Sequence, residues 1–270
     1  MTLVMGIVNV TPDSFSDGGR YLDPEAAISH GRDLRTAGAE ILDIGGESTR
    51  PGAAAVDAAE EAARVLPVIE ALAADGARVS VDTSKAEVAA AAVAAGAEIV
   101  NDVTALGDPG MAPVCAAAGC GLVLMHMKGT PRTMQDDPTY DDVVAEVRDF
   151  LAERLAAATA GDIDRERIWL DPGIGFGKTV EHNLELIAGL DRIAALGRPV
   201  VIGASRKNFI GAITGRGTDE RLGGGIAAAV VAVAAGAGVL RVHDVAATVE
   251  AVRVTEAVLG REPLAAGGAS

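Results

Sequence analysis

The chain has 270 residues, a net charge of −15, almost half of its residues apolar and only 3% aromatic. An acidic balance of that size excludes the broad basic surfaces that nucleic acids and anionic membranes require, so an anionic ligand must be held by cations gathered locally. The length suits one α/β barrel, and a core so poor in aromatic residues must be built from Ala, Val, Ile and Leu.

In chain order, short Val/Ile/Leu runs alternate with Ala-rich stretches of helical length, the sequence form of consecutive βα units. Strands are predicted at Leu3–Val8, Ile41–Ile44, Val79–Val81, Ile99–Val100, Leu122–Met125, Ile168–Leu170, Val200–Ile202 and Val239–Val242. Helices are predicted at Pro24–Ala37, Ala58–Ala74, Lys85–Ala95, Met111–Ala118, Tyr140–Ala160, Val180–Leu196, Leu222–Ala235 and Ala246–Leu259. Gly38, Gly96, Gly119 and Gly236 each follow a helix as stops. The strands lack apolar/polar alternation, as expected when both faces are buried. Eight regular units favour closure into a single (β/α)8 TIM barrel of parallel strands over an open doubly wound sheet, with the active site at the carboxyl ends of the strands. The barrel spans residues 1–259, and the tail 260–270 is expected to be disordered.

Leu222–Leu240 is almost wholly apolar, but Gly236-Ala237-Gly238 interrupts it, so it reads as a buried helix and a buried strand rather than a membrane span. The first strand starts at once with no basic leader, so no signal peptide is expected. Cys115 and Cys120 are expected to be buried free thiols of a cytoplasmic protein, since no further zinc-ligand set accompanies them.

The predicted strand ends carry Asn9, Asp43-Ile44-Gly45-Gly46-Glu47, Asp82, Asn101-Asp102, His126, Asp171, Ser205-Arg206-Lys207 and Arg241-Val242-His243-Asp244. One such residue could cap the next helix; polar groups at eight successive ends point to a site. Asp82, Asn101 and Asp171 follow apolar strands, where they would be desolvated. Carboxylates and an amide there suit a flat heterocycle with several N–H donors, such as a pterin or guanine edge, because a buried site penalises any donor left unpaired. Lys207 could donate to a ring carbonyl. Arg241 and His243 are two apart, so they face the same way in a strand, as an anion site or as an ion pair with a helix. Three loops are rich in glycine: Asp17-Gly18-Gly19, Gly45 to Gly52, and Pro172 to Lys178. The third ends like a phosphate-binding P-loop, but Pro172 stands where its first glycine is required, which excludes a nucleotide triphosphatase.

Seven ordered motifs now stand together: NVTPDSFSDGG from Asn9, DIGGESTRPG from Asp43, VDT from Val81, ND at Asn101, DPGIGFGK from Asp171, GASRK from Gly203 and RVHDV from Arg241. By these the chain resembles the dihydropteroate synthases, the folate-pathway transferases targeted by sulfonamides, from Val4 to Leu259. The resemblance implies joining of 6-hydroxymethyl-7,8-dihydropterin pyrophosphate to p-aminobenzoate with release of pyrophosphate, by a dissociative route through a pterin methylene cation. It implies pterin contacts from Asp82, Asn101, Met125, Asp171 and Lys207, and pyrophosphate contacts from Asn9, Arg241 and His243. It implies Mg²⁺ bound by Asn9 and Asp17, and a p-aminobenzoate pocket of Phe15, Thr49, Arg50, Pro51, Phe176, Ser205, Lys207 and Asn208. Asp82, Lys207, Asp17 and Arg50 are the implied catalytic residues. A homodimer is typical of the family, and the apolar Leu222–Ala235 helix is a candidate subunit face. Many members carry Ser after the lysine, where this chain has Asn208. No insertion follows Phe15, so nothing suggests a drug-insensitive form.

Two other readings share parts of this pattern. A methyltetrahydrofolate–corrinoid methyltransferase would use the Asp/Asn/Asp set but no pyrophosphate apparatus, against Asn9, Asp17, Arg241 and His243. A non-catalytic pterin-binding paralogue would show damaged loop motifs, and these are intact.

Overall fold

The structure, a computed structural model, describes residues 1–11, 23–48 and 55–261. The strands are β1 (Leu3–Asn9), β2 (Ile41–Gly45), β3 (Val79–Asp82), β4 (Ile99–Asp102), β5 (Gly121–Met125), β6 (Ile168–Asp171), β7 (Val201–Ile202) and β8 (Val239–Val242). All are parallel, in the order β6-β5-β4-β3-β2-β1-β8-β7. A parallel bridge from Leu170 to Val200 joins the two ends, so the sheet closes into the expected (β/α)8 barrel.

The surrounding helices are α1 (Pro24–Thr36), α2 (Ala58–Ala74), α3 (Ala86–Ala94), α4 (Met111–Ala118), α5 (Val143–Ala160), α6 (Val180–Ala188), α7 (Leu190–Ala194), α8 (Asn208–Thr214), α9 (Leu222–Ala234) and α10 (Val245–Val258). Several begin on side-chain caps that satisfy otherwise unpaired amides: Asp57 accepts from Glu60 N at 2.8 Å and Asp142 from Ala145 N at 2.9 Å. Gly38, Gly96, Gly119 and Gly236 all take positive φ, as expected of helix stops. The predicted helix Val180–Leu196 is instead two. The break is at Gly189, where a Cβ would meet Val144 at 3.1 Å, so the chain turns against α5. The short α8 starts at the residue after Lys207, where the sequence admits a possible helix start, but it was not among the eight predicted helices.

The pleat decides what each strand residue meets. Leu42, Ile44, Val79, Val81, Leu122, Leu124, Ile168 and Leu170 face outward and pack under the helices. Met5, Ile41, Ile99, Val123, Trp169, Val201 and Val239 form a separate apolar plug inside the barrel. Met5 and Ile41 in this plug are fully buried, each worth about 1.5–3 kcal/mol relative to exposure. Two residues further along the same inward face, Ile41 gives way to Asp43, Ile99 to Asn101, Trp169 to Asp171 and Val239 to Arg241. The polar residues are also still in the ladders: Asp82 is in register with Gly45 and Asn101, and Asp171 with Met125. Strands β3, β4 and β6 therefore run past their predicted ends, and their polar termini are held by backbone pairing rather than by loops.

The seam between β6 and β7 is the weakest part of the closure. There β7 has two residues, and Leu170 N–H donates to Pro199 O at 3.0 Å. In native-state hydrogen exchange, the Leu170 amide is expected to exchange at least about tenfold faster than the amides between β4 and β5. Equal protection would place the first opening elsewhere.

Candidate active site

Arg241 projects into the barrel from β8 and lays its guanidinium between two carboxylates. Its Nε donates to Asp43 Oδ2 at 2.6 Å, and its Nη2 to Asp82 Oδ2 at 2.6 Å. Asn101 Nδ2 donates to the same Asp43 oxygen at 3.1 Å. Asp43 is wholly buried, and Asp82, Asn101 and Asp171 are 9%, 4% and 5% exposed. Burial penalises the charged forms of Asp82 and Asp171. It pushes the Asp82 carboxyl up to about 7; Arg241 opposes this, while the charges of Asp43 and Glu61 reinforce it. Burial also works against the charge of Arg241, but Asp43 and Asp82 outweigh it and hold its pKa above the usual arginine value. Asp171 is raised by burial, against the Gly173 N–H that donates to its Oδ1 at 2.7 Å and against the charge of Lys207.

The rim comes from the loops after β6, β7 and β8. Lys207 Nζ stands 4.0 Å from the centre of the Phe176 ring, a cation–π distance. Ser205 Oγ and His243 Nδ1 are 3.1 Å apart. Burial, then the charges of Arg206 and Arg241, push His243 down to about 3, so the imidazole is neutral at pH 7. The turn carrying Ser205 and Lys207 passes through Arg206 at φ 57, a conformation disfavoured for a residue with a Cβ. Two contacts hold it: Arg206 Nη2 donates to Asp244 Oδ1 at 2.7 Å, and Arg221 Nη1 donates to Arg206 O at 2.9 Å.

Of the residues singled out in the sequence, Asp82, Asn101, Met125, Asp171, Phe176, Lys207 and Arg241 line one cleft, joined by Val103, Ile174 and Gly203. A Cβ at Gly203 would meet nothing within 4 Å, so the cleft is open above β7. Asn9 flanks it across Gly45, whose added Cβ would lie 3.8 Å from Asn9 Oδ1 and 3.5 Å from Asp82 Cβ. Ser205 and His243 form a pair on the rim. Asn208 is exposed at the start of α8 and accepts from Arg221 Nη1 at 3.1 Å. Phe15, Asp17, Thr49, Arg50 and Pro51 lie outside the described residues. Arg241 does make an ion pair, but with two strand carboxylates and not with a helix.

Asp43 was not among the site residues assigned from sequence, although it holds both Arg241 and Asn101. The signal was there: it follows inward-facing Ile41 by two, as Asn101 follows Ile99 and Asp171 follows Trp169. Lys178 and His126 were also not assigned, and their amine and imidazole pair behind the cleft at 3.0 Å. Among the described residues, no group of three or more His, Cys, Asp or Glu could hold a metal ion. Asn9 can supply one oxygen, which fits a hard cation that takes most of its ligands from a bound phosphate and water. Chemically, the cleft offers fixed acceptors for the N–H edge of a heterocycle, a lysine donor opposite, and buried negative charge able to stabilise a cation.

A family model for pterin-binding enzymes matches residues 5–243. The dihydropteroate synthase of Escherichia coli (strain K12) is 49% identical over 257 residues, covering 95% of this chain and 91% of the relative. The structure of the Xanthomonas albilineans dihydropteroate synthase with 4-aminobenzoic acid superposes with a TM-score of 0.90 at 54% identity, covering 96% of this chain and 93% of that one. That of the Yersinia pestis dihydropteroate synthase in a sulfonamide drug complex gives a TM-score of 0.93 at 44% identity, over 96% and 94%.

Removing Arg241 leaves Asp43 and Asp82 facing each other without their shared cation. Arg241→Ala is expected to lower stability in urea unfolding by about 3 kcal/mol, the scale for breaking a buried pair. Adding Asp43→Asn should recover part of the loss by removing the like charge. An unchanged midpoint for Arg241→Ala would mean that the three groups are not electrostatically coupled.

Proposed function

Because the chain belongs to the family of pterin-binding enzymes, as a dihydropteroate synthase, we propose how its residues divide the work of that reaction. Such a transferase of folate biosynthesis joins 6-hydroxymethyl-7,8-dihydropterin pyrophosphate to p-aminobenzoate, giving 7,8-dihydropteroate and pyrophosphate. The observation that carries the assignment is the gathering of Asp82, Asn101, Asp171 and Lys207 in one desolvated cleft.

Asp171 and Asn101 accept from the N–H groups of the pterin, and Lys207 donates to its ring carbonyl, with Met125 packing beside it. The reaction is dissociative. The methylene C–O bond breaks, pyrophosphate departs with the electron pair, and the cation left behind is delocalised into the ring. The amine lone pair of p-aminobenzoate then forms the new C–N bond, and the anilinium proton is lost. Asp82 and Asp171 face the cation as fixed negative charge in a site of low dielectric. Arg241 borders both Asp82 and the cleft, so it can turn one N–H to the departing anion while Asp43 keeps its Nε. Neutral His243 donates beside it.

Asn9 and Asp17 are assigned to Mg²⁺, which would neutralise charge on the leaving pyrophosphate when bound. Phe15, Thr49, Arg50, Pro51 and Phe176 are assigned to the aminobenzoate ring and its loops, Asp17 and Arg50 among the catalytic groups. Ser205, Lys207 and Asn208 are assigned to its carboxylate end. Sulfonamides are proposed as inhibitors, a reading supported by the Yersinia enzyme's complex with a sulfonamide drug. A cytoplasmic setting is supported by the two buried free cysteines.

A second copy is proposed to cover the apolar face of three neighbouring helices, where Ile213, Val231, Val254 and Val258 are 57%, 50%, 65% and 81% exposed. Sedimentation should give about twice the 27.2 kDa chain mass, and Val254→Asp with Val258→Asp should give the monomer. A wild-type monomer would end this reading.

Asp82 is expected to matter more to turnover than to binding. Asp82→Asn should lower kcat by about 100-fold or more while weakening dihydropterin pyrophosphate by less than about tenfold. Only the ionised carboxyl serves the cation, and its folded-state pKa is about 7. Wild-type kcat/KM should therefore fall as pH drops below about 7, and the bend should vanish in Asp82→Asn. Equal losses of kcat and affinity would reduce Asp82 to a binding residue.

A further inference from the structure

Behind the cleft, the loop after β6 is fastened in an unusual way. Three successive carbonyl oxygens each accept from a side chain: Gly175 O from Gln135 Nε2 at 3.1 Å, Phe176 O from Lys178 Nζ at 2.9 Å, and Gly177 O from Tyr140 OH at 2.8 Å. Two of these donors come from the loop after β5, and Lys178 is itself tied to that loop through His126. Glycine makes the arrangement possible. Gly173, Gly175 and Gly177 have φ of 68°, 84° and 62°, and a Cβ at Gly173 would lie 1.9 Å from His126 O. With every second residue in that conformation, Ile174 and Phe176 both turn into the cleft.

Lys178 is 3% exposed, which is rare for lysine unless the amine is paired. It donates to Phe176 O and meets His126 Nδ1 at 3.0 Å. The His126 ring is set in turn by an edge-on contact with Phe150 of α5, centroids 4.9 Å apart, and its backbone N–H donates to Asp171 O at 2.9 Å. Burial pushes Lys178 down to about 7, where it is part charged; Lys207 pushes the same way and Asp171 opposes. Charged or neutral, the amine still has an N–H for the Phe176 carbonyl. His126 is pushed down to about 3, chiefly by burial, so its imidazole is neutral and able to accept.

We propose that Lys178, seated on His126, is a positioning residue for the second substrate: it fixes the backbone of Phe176 and thereby the aromatic wall of the aminobenzoate pocket against which Lys207 stands. This rests on the assignment of Phe176 to that pocket. Neither Lys178 nor His126 lines the cleft, so neither is a catalytic residue.

The test is steady-state kinetics on the full-length enzyme. Lys178→Met keeps the unbranched stem of the side chain, one atom shorter, and removes its N–H groups. KM for p-aminobenzoate should rise about tenfold, the worth of one good hydrogen bond, with kcat and KM for dihydropterin pyrophosphate within about threefold. A matched pair at position 126 tests the link even if Lys178→Met fails to fold. His126→Asn can place an oxygen near the former Nδ1, whereas His126→Leu cannot, and both lose the contact with Phe150. His126→Asn should keep a near wild-type KM for p-aminobenzoate, and His126→Leu should show the same rise as Lys178→Met. Loss of thermal stability without a change in that KM, or equal rises in both KM values, would overturn the proposal. Failure of wild type to form dihydropteroate would instead sink the assignment of function itself.

Discussion

The placement of one guanidinium between two carboxylates governs the interior of this barrel. Asp43 and Asp82 enter from neighbouring parallel strands, and both are almost fully removed from water. Two negative charges so placed would repel in a medium where charge is poorly screened. Arg241 resolves this because β8 is separated from β2 by β1 alone and from β3 by two strands, so its long side chain reaches through the interior to both. The apolar plug beneath gives that crossing a floor. Met5, Ile41 and Trp169 exclude water from below, which makes the charges above them interact strongly and also makes them expensive to leave unpaired.

Most of the fold was legible because its signals are repetitive. Eight apolar runs, separated by Ala-rich helices with glycine stops, specify βα units almost wherever they are read. The failures are local and have local causes. Gly189 breaks a helix whose hydrophobic pattern is continuous on both sides, because the requirement there is close approach to Val144, which no periodicity reports. Asn208–Thr214 is too short for its pattern to stand out from a loop. At the site, Asp82, Asn101 and Asp171 were visible as polar endings of apolar runs. Asp43 was visible among the polar strand ends but was given no role, since it stands inside its run, with Ile44 and glycines after it, and only the pleat reveals that it shares a face with Ile41. Lys178 looked like part of a failed nucleotide motif; its true surroundings depend on the fold of a loop from the neighbouring strand.

The site loops have rigid roots on both sides of the barrel. On one side, the loop after β6 is fixed through three successive carbonyls. On the other, Lys85 at the start of α3 pairs with Glu47 and with wholly buried Glu61 of α2. Glu47 also accepts from Val56 N at 3.2 Å, and Arg64 of α2 donates to Gly46 O at 2.8 Å. The backbone at Gly46–Glu47 and at Val56 is therefore anchored to two helices. Loops that carry function over a rigid scaffold need their ends fixed for their tips to present side chains reproducibly.

Stability and chemistry share the same charges here. The carboxylates of Asp43, Asp82 and Asp171 are least costly when positive charge is near, and the protein supplies it chiefly from Arg241 and Lys207. A substrate that develops positive charge beside Asp82 offers the same compensation from a new direction, and it does so most strongly in the transition state. On the proposed dissociative route, Arg241 would then be needed less by Asp82, and one of its N–H groups could turn to the departing anion. The exchange requires no movement of strands, only the turning of one guanidinium about an anchor at Asp43. A carboxylate held near its titration point by burial, with its cation anchored separately at Asp43, therefore suits the charge-separating reaction proposed above.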